Sequence, residues 1–200
     1  MQNRKRILDL FLCFFSFIIL ILGFLKGYQK PFCSFYLFTR QTILLINLYF
    51  LTNLCFAQEN RYFSFICALD SLIMIIICAP IIKEKTLFQK KTFFSIIVFF
   101  LEHYVLTTIF VFYYLVIDQT VLKLKKFYIG IVHLLVYFIT SLYVWKKYHH
   151  YPYEFLNPQH HFFFYKIIVL SVLIVCIAFW LIYLKNQKIK RSSRTLFKHK

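Results

Sequence analysis

Apolar residues follow one another along this chain in long unbroken runs, separated by short polar stretches that carry most of the Lys and Arg. A run of about 20 apolar residues is the length an α-helix needs to cross a hydrocarbon core roughly 30 Å thick. Six such runs occur: Ile7 to Leu25, Phe35 to Ala57, Tyr62 to Ile82, Thr92 to Ile117, Phe127 to Trp145 and Phe162 to Leu184. They are continuously apolar rather than alternating, which predicts helices and not the strands of a barrel, and a helix satisfies its own backbone in lipid. The pattern therefore predicts an all-α integral membrane protein, a bundle of six transmembrane helices over residues 1–184 with a basic cytoplasmic tail over residues 185–200.

Composition agrees with the pattern. Of the 200 residues, 61% are apolar and only 16% charged, far from the mix of a soluble domain. The opening "MQNRKRILDLFLCFFSFIILILGFL" has a basic start and an apolar run, but no small-residue cleavage signal follows, so it reads as an anchor that stays attached. Lys and Arg are concentrated in alternate segments beginning with the N-terminus, which predicts that both termini are cytoplasmic. The formal charge of +17 owes much to the tail "KNQKIKRSSRTLFKHK". Directly after an apolar span, such a tail reads anionic lipid headgroups rather than nucleic acid.

The six cysteines do not form a secreted disulfide framework: Cys13, Cys55, Cys67, Cys78 and Cys176 fall inside the spans, where cysteine behaves as a small apolar residue, and only Cys33 lies near a loop. No CxxC pair, Gly-rich phosphate loop, GxSxG or HExxH occurs, so no metal or cofactor is expected. The pairs His149–His150 and His160–His161 lack the repeated HxxxH boxes of membrane di-iron enzymes and read as interfacial residues. With only 3 Gly, the helices are expected to pack through Ser, Thr, Cys and aromatic side chains.

Polar residues inside the spans are the informative ones, because a charge at mid-membrane costs about 2.5 to 3.5 kcal/mol even on the lenient insertion scale. Asp70, Glu102, His103 and His133 qualify; Asp9 and Arg40 lie close enough to span ends to snorkel. Helical spacing puts Thr39, Thr42, Ile46 and Asn53 on one face of the second span, and His133, Tyr137 and Thr140 on one face of the fifth. A buried hydroxyl and imidazole can act as nucleophile and general base toward an ester carbonyl. Counted from the outer ends of their spans, Thr39 and His103 are expected to differ in depth by roughly 6 to 9 Å, a gap that Thr42 would narrow. The other reading of His103 and Glu102 is that they tie helices together through Arg40, Thr or Asn.

Three stretches, "FYLFTRQTILLINLYFLTNLC", "FLEHYVLTTIFVF" and "YHHYPYEFLNP", resemble in order the conserved regions of the androgen-induced protein family. That resemblance implies six-span membrane hydrolases that cleave fatty acid esters of hydroxy fatty acids with one Thr and one His, in the endoplasmic reticulum or plasma membrane. It places the nucleophile at Thr39. The family's NHxxHT motif, whose second His is catalytic, aligns on "EHYVLT" with His103 at the first His and Leu106 at the second. Either the alignment slips by three and His103 is the base, or the base is lost. Three functions follow: a lipid ester hydrolase using Thr39 and His103, with Thr42, Glu102, Asp70 and His133 as supporting or alternative residues; a non-catalytic bundle binding lipid or a partner protein; and a small transporter or channel using Asp70, Glu102 and His133 as a polar path.

Overall fold

A computed structural model gives the structure of the protein, describing residues 2–26, 37–56, 59–78, 92–148, 157, 159 and 162–198. All regular structure among these residues is helical. We label the six long helices α1 (Gln2–Lys26), α2 (Phe38–Phe56), α3 (Arg61–Cys78), α4 (Phe93–Val116), α5 (Tyr128–Tyr148) and α6 (Phe163–Lys198). Five of them, all but α2, are long and apolar enough to cross a membrane. The exception carries Arg40, Gln41, Asn47 and Asn53, and its polar positions face inward rather than outward: Thr39, Arg40, Thr42, Asn47 and Asn53 are all buried.

Local signals explain the helix starts that are described. Asn60 caps α3 by accepting hydrogen bonds from the amides of Tyr62 and Phe63 at 3.1 and 3.2 Å, and the Thr92 hydroxyl accepts from the Ser95 amide at the start of α4. Two helices do not stay α-helical. α3 ends in a π-helical turn, Met74–Cys78, and α4 contains another, Leu101–Val105, closed by the Leu106 amide on the Leu101 carbonyl. These two turns pack against each other. The Thr107 hydroxyl donates to the His103 carbonyl at 2.8 Å.

α3 is the central helix, with 67% of its apolar window buried against 22% in α5 and α6, whose outer faces expose Val132, Leu135, Ile139, Phe164 and Ile168. This is the arrangement of a bundle solvated by lipid, in which exposed side chains are apolar and the interior holds the polar ones. α1 runs antiparallel along α2: Asn47 donates to the Cys13 carbonyl at 2.8 Å and to Ser16 at 3.0 Å near the middle, while Arg40 donates to the Gly23 carbonyl at 2.8 Å near one end. An aromatic cluster of Tyr49, Phe50, Phe110 and Tyr113 fills the space between α2 and α4. Tyr49–Phe110, Phe50–Phe110 and Phe50–Tyr113 meet edge-on with centroids 5.1 to 5.6 Å apart, and Phe110 and Tyr113 stack at 6.1 Å, both geometries that aromatic quadrupoles favour.

Several expectations need correction. Helix α2 is described from Phe38, where the Leu37 carbonyl accepts from the amides of Arg40 and Gln41; the expected start at Phe35 lies outside the described residues. α6 continues past Leu184 to Lys198, so the basic tail expected from residue 185 begins within an unbroken helix, and its first residue, Lys185, is fully buried. Asp9 and Arg40 do not snorkel: at 6% and 4% exposure they face partners on neighbouring helices. Glycine also matters to packing. A Cβ on Gly23 would meet Arg40 and Glu102 at 2.4 Å, and one on Gly130 would meet Leu69 and Phe65 at 2.7 Å, so both mark close helix crossings. The four His of the 149–161 segment, Cys33 and the loop at 79–91 lie outside the described residues.

Candidate functional site

Thr39 stands in the first turn of α2, and His103 stands on the π-helical turn of α4, ten residues from Phe93. Because α2 begins at the level of that turn rather than level with the start of α4, the expected depth gap of 6 to 9 Å does not arise. Thr39 Oγ1 lies 3.1 Å from His103 Nε2, with the two residues 2% and 4% exposed.

The opposite ring nitrogen fixes the direction of that bond. His103 Nδ1 is 3.0 Å from the Phe99 carbonyl, and a carbonyl only accepts, so Nδ1 carries the hydrogen. Nε2 is then the lone-pair nitrogen and the Thr39 hydroxyl donates to it. The Phe99 ring stacks on the imidazole with centroids 4.4 Å apart, holding its plane. A main-chain carbonyl and a ring thus do the orienting that a carboxylate does in many nucleophile–histidine pairs.

Glu102 points elsewhere. It forms an ion pair with Arg40 of α2, and its second oxygen is 3.7 Å from Lys26 of α1. Arg40 follows Thr39 in sequence, so the ion pair fixes the first turn of α2 against α4 beside the hydroxyl and imidazole. Thr42 is fully buried one turn deeper, and its hydroxyl has no hydrogen-bond partner among the described residues.

Asp70 and His133 form a second pair, Nδ1 to Oδ2, at 2.5 Å between α3 and α5. Phe38, the residue before Thr39, stacks on the His133 ring with centroids 5.6 Å apart and meets Tyr137 edge-on at 5.1 Å. The two histidines therefore flank the start of α2 from different sides, one bonded to Thr39 and one stacked on Phe38.

A third polar cluster, not anticipated from sequence, lies at the other end of the bundle. Asp118 accepts from Ser64, from Tyr49 at 3.4 Å and from the Thr120 amide at 2.6 Å. Lys185 of α6 donates to the carbonyls of Tyr114 and Asp118 and sits 3.3 Å from the Asp118 carboxylate. Asp9 accepts from Tyr113 at 2.7 Å nearby. Every donor of the Lys185 ammonium has an acceptor, which marks this cluster as a structural closure of the bundle and not as an open site. The only sequence signal was the break of an apolar run by Asp118 and Lys185, which at a span end reads equally well as solvated.

Comparison of the chain with protein-family models, curated proteins and solved structures finds no match.

Proposed function

We propose that the protein is a six-span membrane ester hydrolase of the kind implied by its resemblance to the androgen-induced family, with Thr39 as nucleophile and His103 as general base. The observation that carries the proposal is the 3.1 Å contact of Thr39 Oγ1 with an imidazole whose other nitrogen is occupied by the Phe99 carbonyl. A hydroxyl donating to a lone-pair Nε2 is in the protonation pattern that proton transfer requires.

In the reaction, Thr39 Oγ1 attacks the ester carbonyl as Nε2 takes its proton, and the developing oxyanion faces the positive end of the α2 macrodipole beside Arg40. Collapse breaks the bond to the alcohol oxygen, which takes the proton from Nε2 and departs, while the acyl group stays on Thr39 Oγ1. Water then attacks this acyl ester with His103 again as base, releasing the fatty acid and restoring the hydroxyl. Both residues are buried among apolar helices, which favours a long-chain lipid arriving sideways from the bilayer as substrate. Basic segments at the end shared by Lys5 and Lys185 favour cytoplasmic termini, anionic headgroups around them, and Thr39 toward the opposite, lumenal face.

Leu106, buried where the family's motif has its catalytic histidine, favours a second reading: a non-catalytic bundle that binds lipid. A fluorophosphonate probe of serine and threonine hydrolases separates the two. Wild-type protein in detergent takes up the label, Thr39→Ala and His103→Ala do not, and Thr42→Ala labels as wild type. All four must elute as folded protein in size exclusion. Equal labelling of wild type and His103→Ala would sink the catalytic role, and labelling lost in Thr42→Ala alone would move the nucleophile one turn inward.

A further inference from the structure

The second half of that reaction needs a water molecule beside Nε2 of His103, and Thr42 supplies a group to hold it. Thr42 is fully buried, and its hydroxyl has no hydrogen-bond partner among the described residues. Hydroxyls elsewhere in these helices behave differently: Thr52, Ser71, Thr107, Thr140 and Ser171 each donate back to a carbonyl three or four residues earlier. The corresponding carbonyls for Thr42 belong to Phe38 and Thr39, and neither receives its hydrogen. A buried hydroxyl without a partner is destabilising, so one whose donor and acceptor are both unspent beside a reacting pair points to a ligand.

Position narrows that ligand to one small enough to share the space with an acyl group. Residues three apart on a helix share a face with Cβ atoms about 5–6 Å apart, so Thr42 stands one turn from Thr39 on α2, which packs on the π-helical turn carrying His103. Two hydrogen bonds of about 2.8 Å through a single water span that distance. Ile43, Ile46 and Leu106 are also fully buried on these two helices, and water among apolar side chains needs at least two polar partners. Nε2 of His103 and the Thr42 hydroxyl are two, whereas Thr107 already directs its hydrogen to the carbonyls of His103 and Tyr104. We propose that Thr42 is the water-positioning residue of deacylation, its hydroxyl accepting one hydrogen of the hydrolytic water while the other points at His103 Nε2; this role rests on the hydrolase reading. The second hydrogen passes to Nε2 as the water oxygen attacks the acyl carbon. The bond from that carbon to Thr39 Oγ1 then breaks, Oγ1 takes the proton back from Nε2, and the fatty acid leaves. The first half-reaction needs no such water, because Thr39 is then itself the nucleophile and donates directly to Nε2.

Full-length protein in nanodiscs is tested with p-nitrophenyl octanoate, whose good leaving group makes deacylation the slower step. The burst of p-nitrophenol reports acylation, the steady rate reports deacylation, and intact mass after acid quench reports the octanoyl adduct. Thr42→Val keeps the shape of the side chain and should keep the burst and the fluorophosphonate labelling of wild type. Its steady rate should fall about tenfold, the worth of one hydrogen bond, and the octanoyl adduct should accumulate. Thr42→Ser should restore turnover. Removing an unpaired hydroxyl from apolar surroundings does not destabilise, so Thr42→Val should melt no lower than wild type. A Thr42→Val protein that turns over as wild type, or whose burst falls as much as its steady rate, overturns the water role; the second result would place Thr42 at the oxyanion instead. A lower melting temperature for Thr42→Val overturns it too, by revealing a structural partner for the hydroxyl. An adduct that persists in Thr39→Ala overturns the nucleophile assignment, and turnover and adduct both absent from wild type overturn the hydrolase reading, with which the water role falls.

Discussion

Arg40 on α2 and Glu102 on α4 form an ion pair at 4% and 1% side-chain exposure, and the same guanidinium donates to the Gly23 carbonyl of α1. Three helices are thereby joined within one residue of Thr39 and of His103. Truncating one member of such a pair leaves the other charge buried and uncompensated, at a cost of about 3–5 kcal/mol. Glu102→Gln is therefore expected to reduce folded protein sharply in fluorescence-detected size exclusion. Arg40→Met combined with Glu102→Met should recover most of it, since a neutral apolar pair carries no such penalty. Wild-type abundance for Glu102→Gln alone would show that the pair contributes little.

Gly23 sits under that ion pair with no room for a side chain, because an added Cβ would approach Arg40 Cζ, Arg40 Nη1 and Glu102 Oε1 at 2.4 Å. Gly23→Ala should lower the thermal midpoint, with a cost of about 1–3 kcal/mol for an overpacked crossing. Gly130→Ala meets Leu69 and Phe65 at 2.7 Å, fully buried apolar side chains whose displacement separates no buried charges. The alanine at 130 should thus be the milder of the two, and a reversed order would mean that Arg40 and Glu102 move apart freely.

Lys185 and Asp118 give a parallel case at the opposite end, where Lys185 also occupies the carbonyls closing α4. Lys185→Met strands Asp118 and should cost about 3–5 kcal/mol. Lys188→Met, beyond the buried contact on the same helix, should leave the melting temperature within error. Similar losses from both would point to bulk charge on α6 as the stabilising quantity.

Orientation is accessible to glycosylation mapping. With basic residues gathered at the end where the chain begins and α6 emerges, an acceptor sequence appended after Lys200 should stay unmodified in microsomes. One inserted between Lys85 and Lys90, far enough from the bilayer, should be used. A modified C-terminus inverts the scheme.

How much of this was legible in the sequence depends on what each residue's signal was. Apolar runs predicted the helices, and the face Thr39, Thr42, Ile46 and Asn53 could be drawn because 3.6-residue periodicity applies throughout α2; all four are buried. Asp70, Glu102 and His103 stood out because charge deep in an apolar run is costly wherever the helix ends. Asp9 and Arg40 read as snorkelling residues, and Lys185 as part of a basic tail against lipid headgroups, for the opposite reason: near a span end, burial depends on how far the helix continues and what crosses it, and hydropathy reports neither. The Lys185–Asp118 contact joins residues from separate spans, so neither residue alone signals it. The start of α2, which brings Thr39 to the level of His103, is set by the Leu37 bend, for which the sequence carries no Pro or Gly.

The π-helical turn at Leu101–Val105 breaks the phase of α4. Each turn of this kind takes up one residue more than an α-turn, so side chains before Leu101 and after Val105 follow two separate rotational registers around a common axis. Phe99 belongs to the first and Leu106 to the second, and His103 is carried by the discontinuity itself. Counting three positions from His103 to Leu106 therefore does not give the angle between them that it would in an unbroken helix. In this chain, linear spacing around "EHYVLT" is a poor ruler for deciding which side chain meets α2, and a one-residue deletion there would re-aim one half of α4 while leaving its composition almost unchanged.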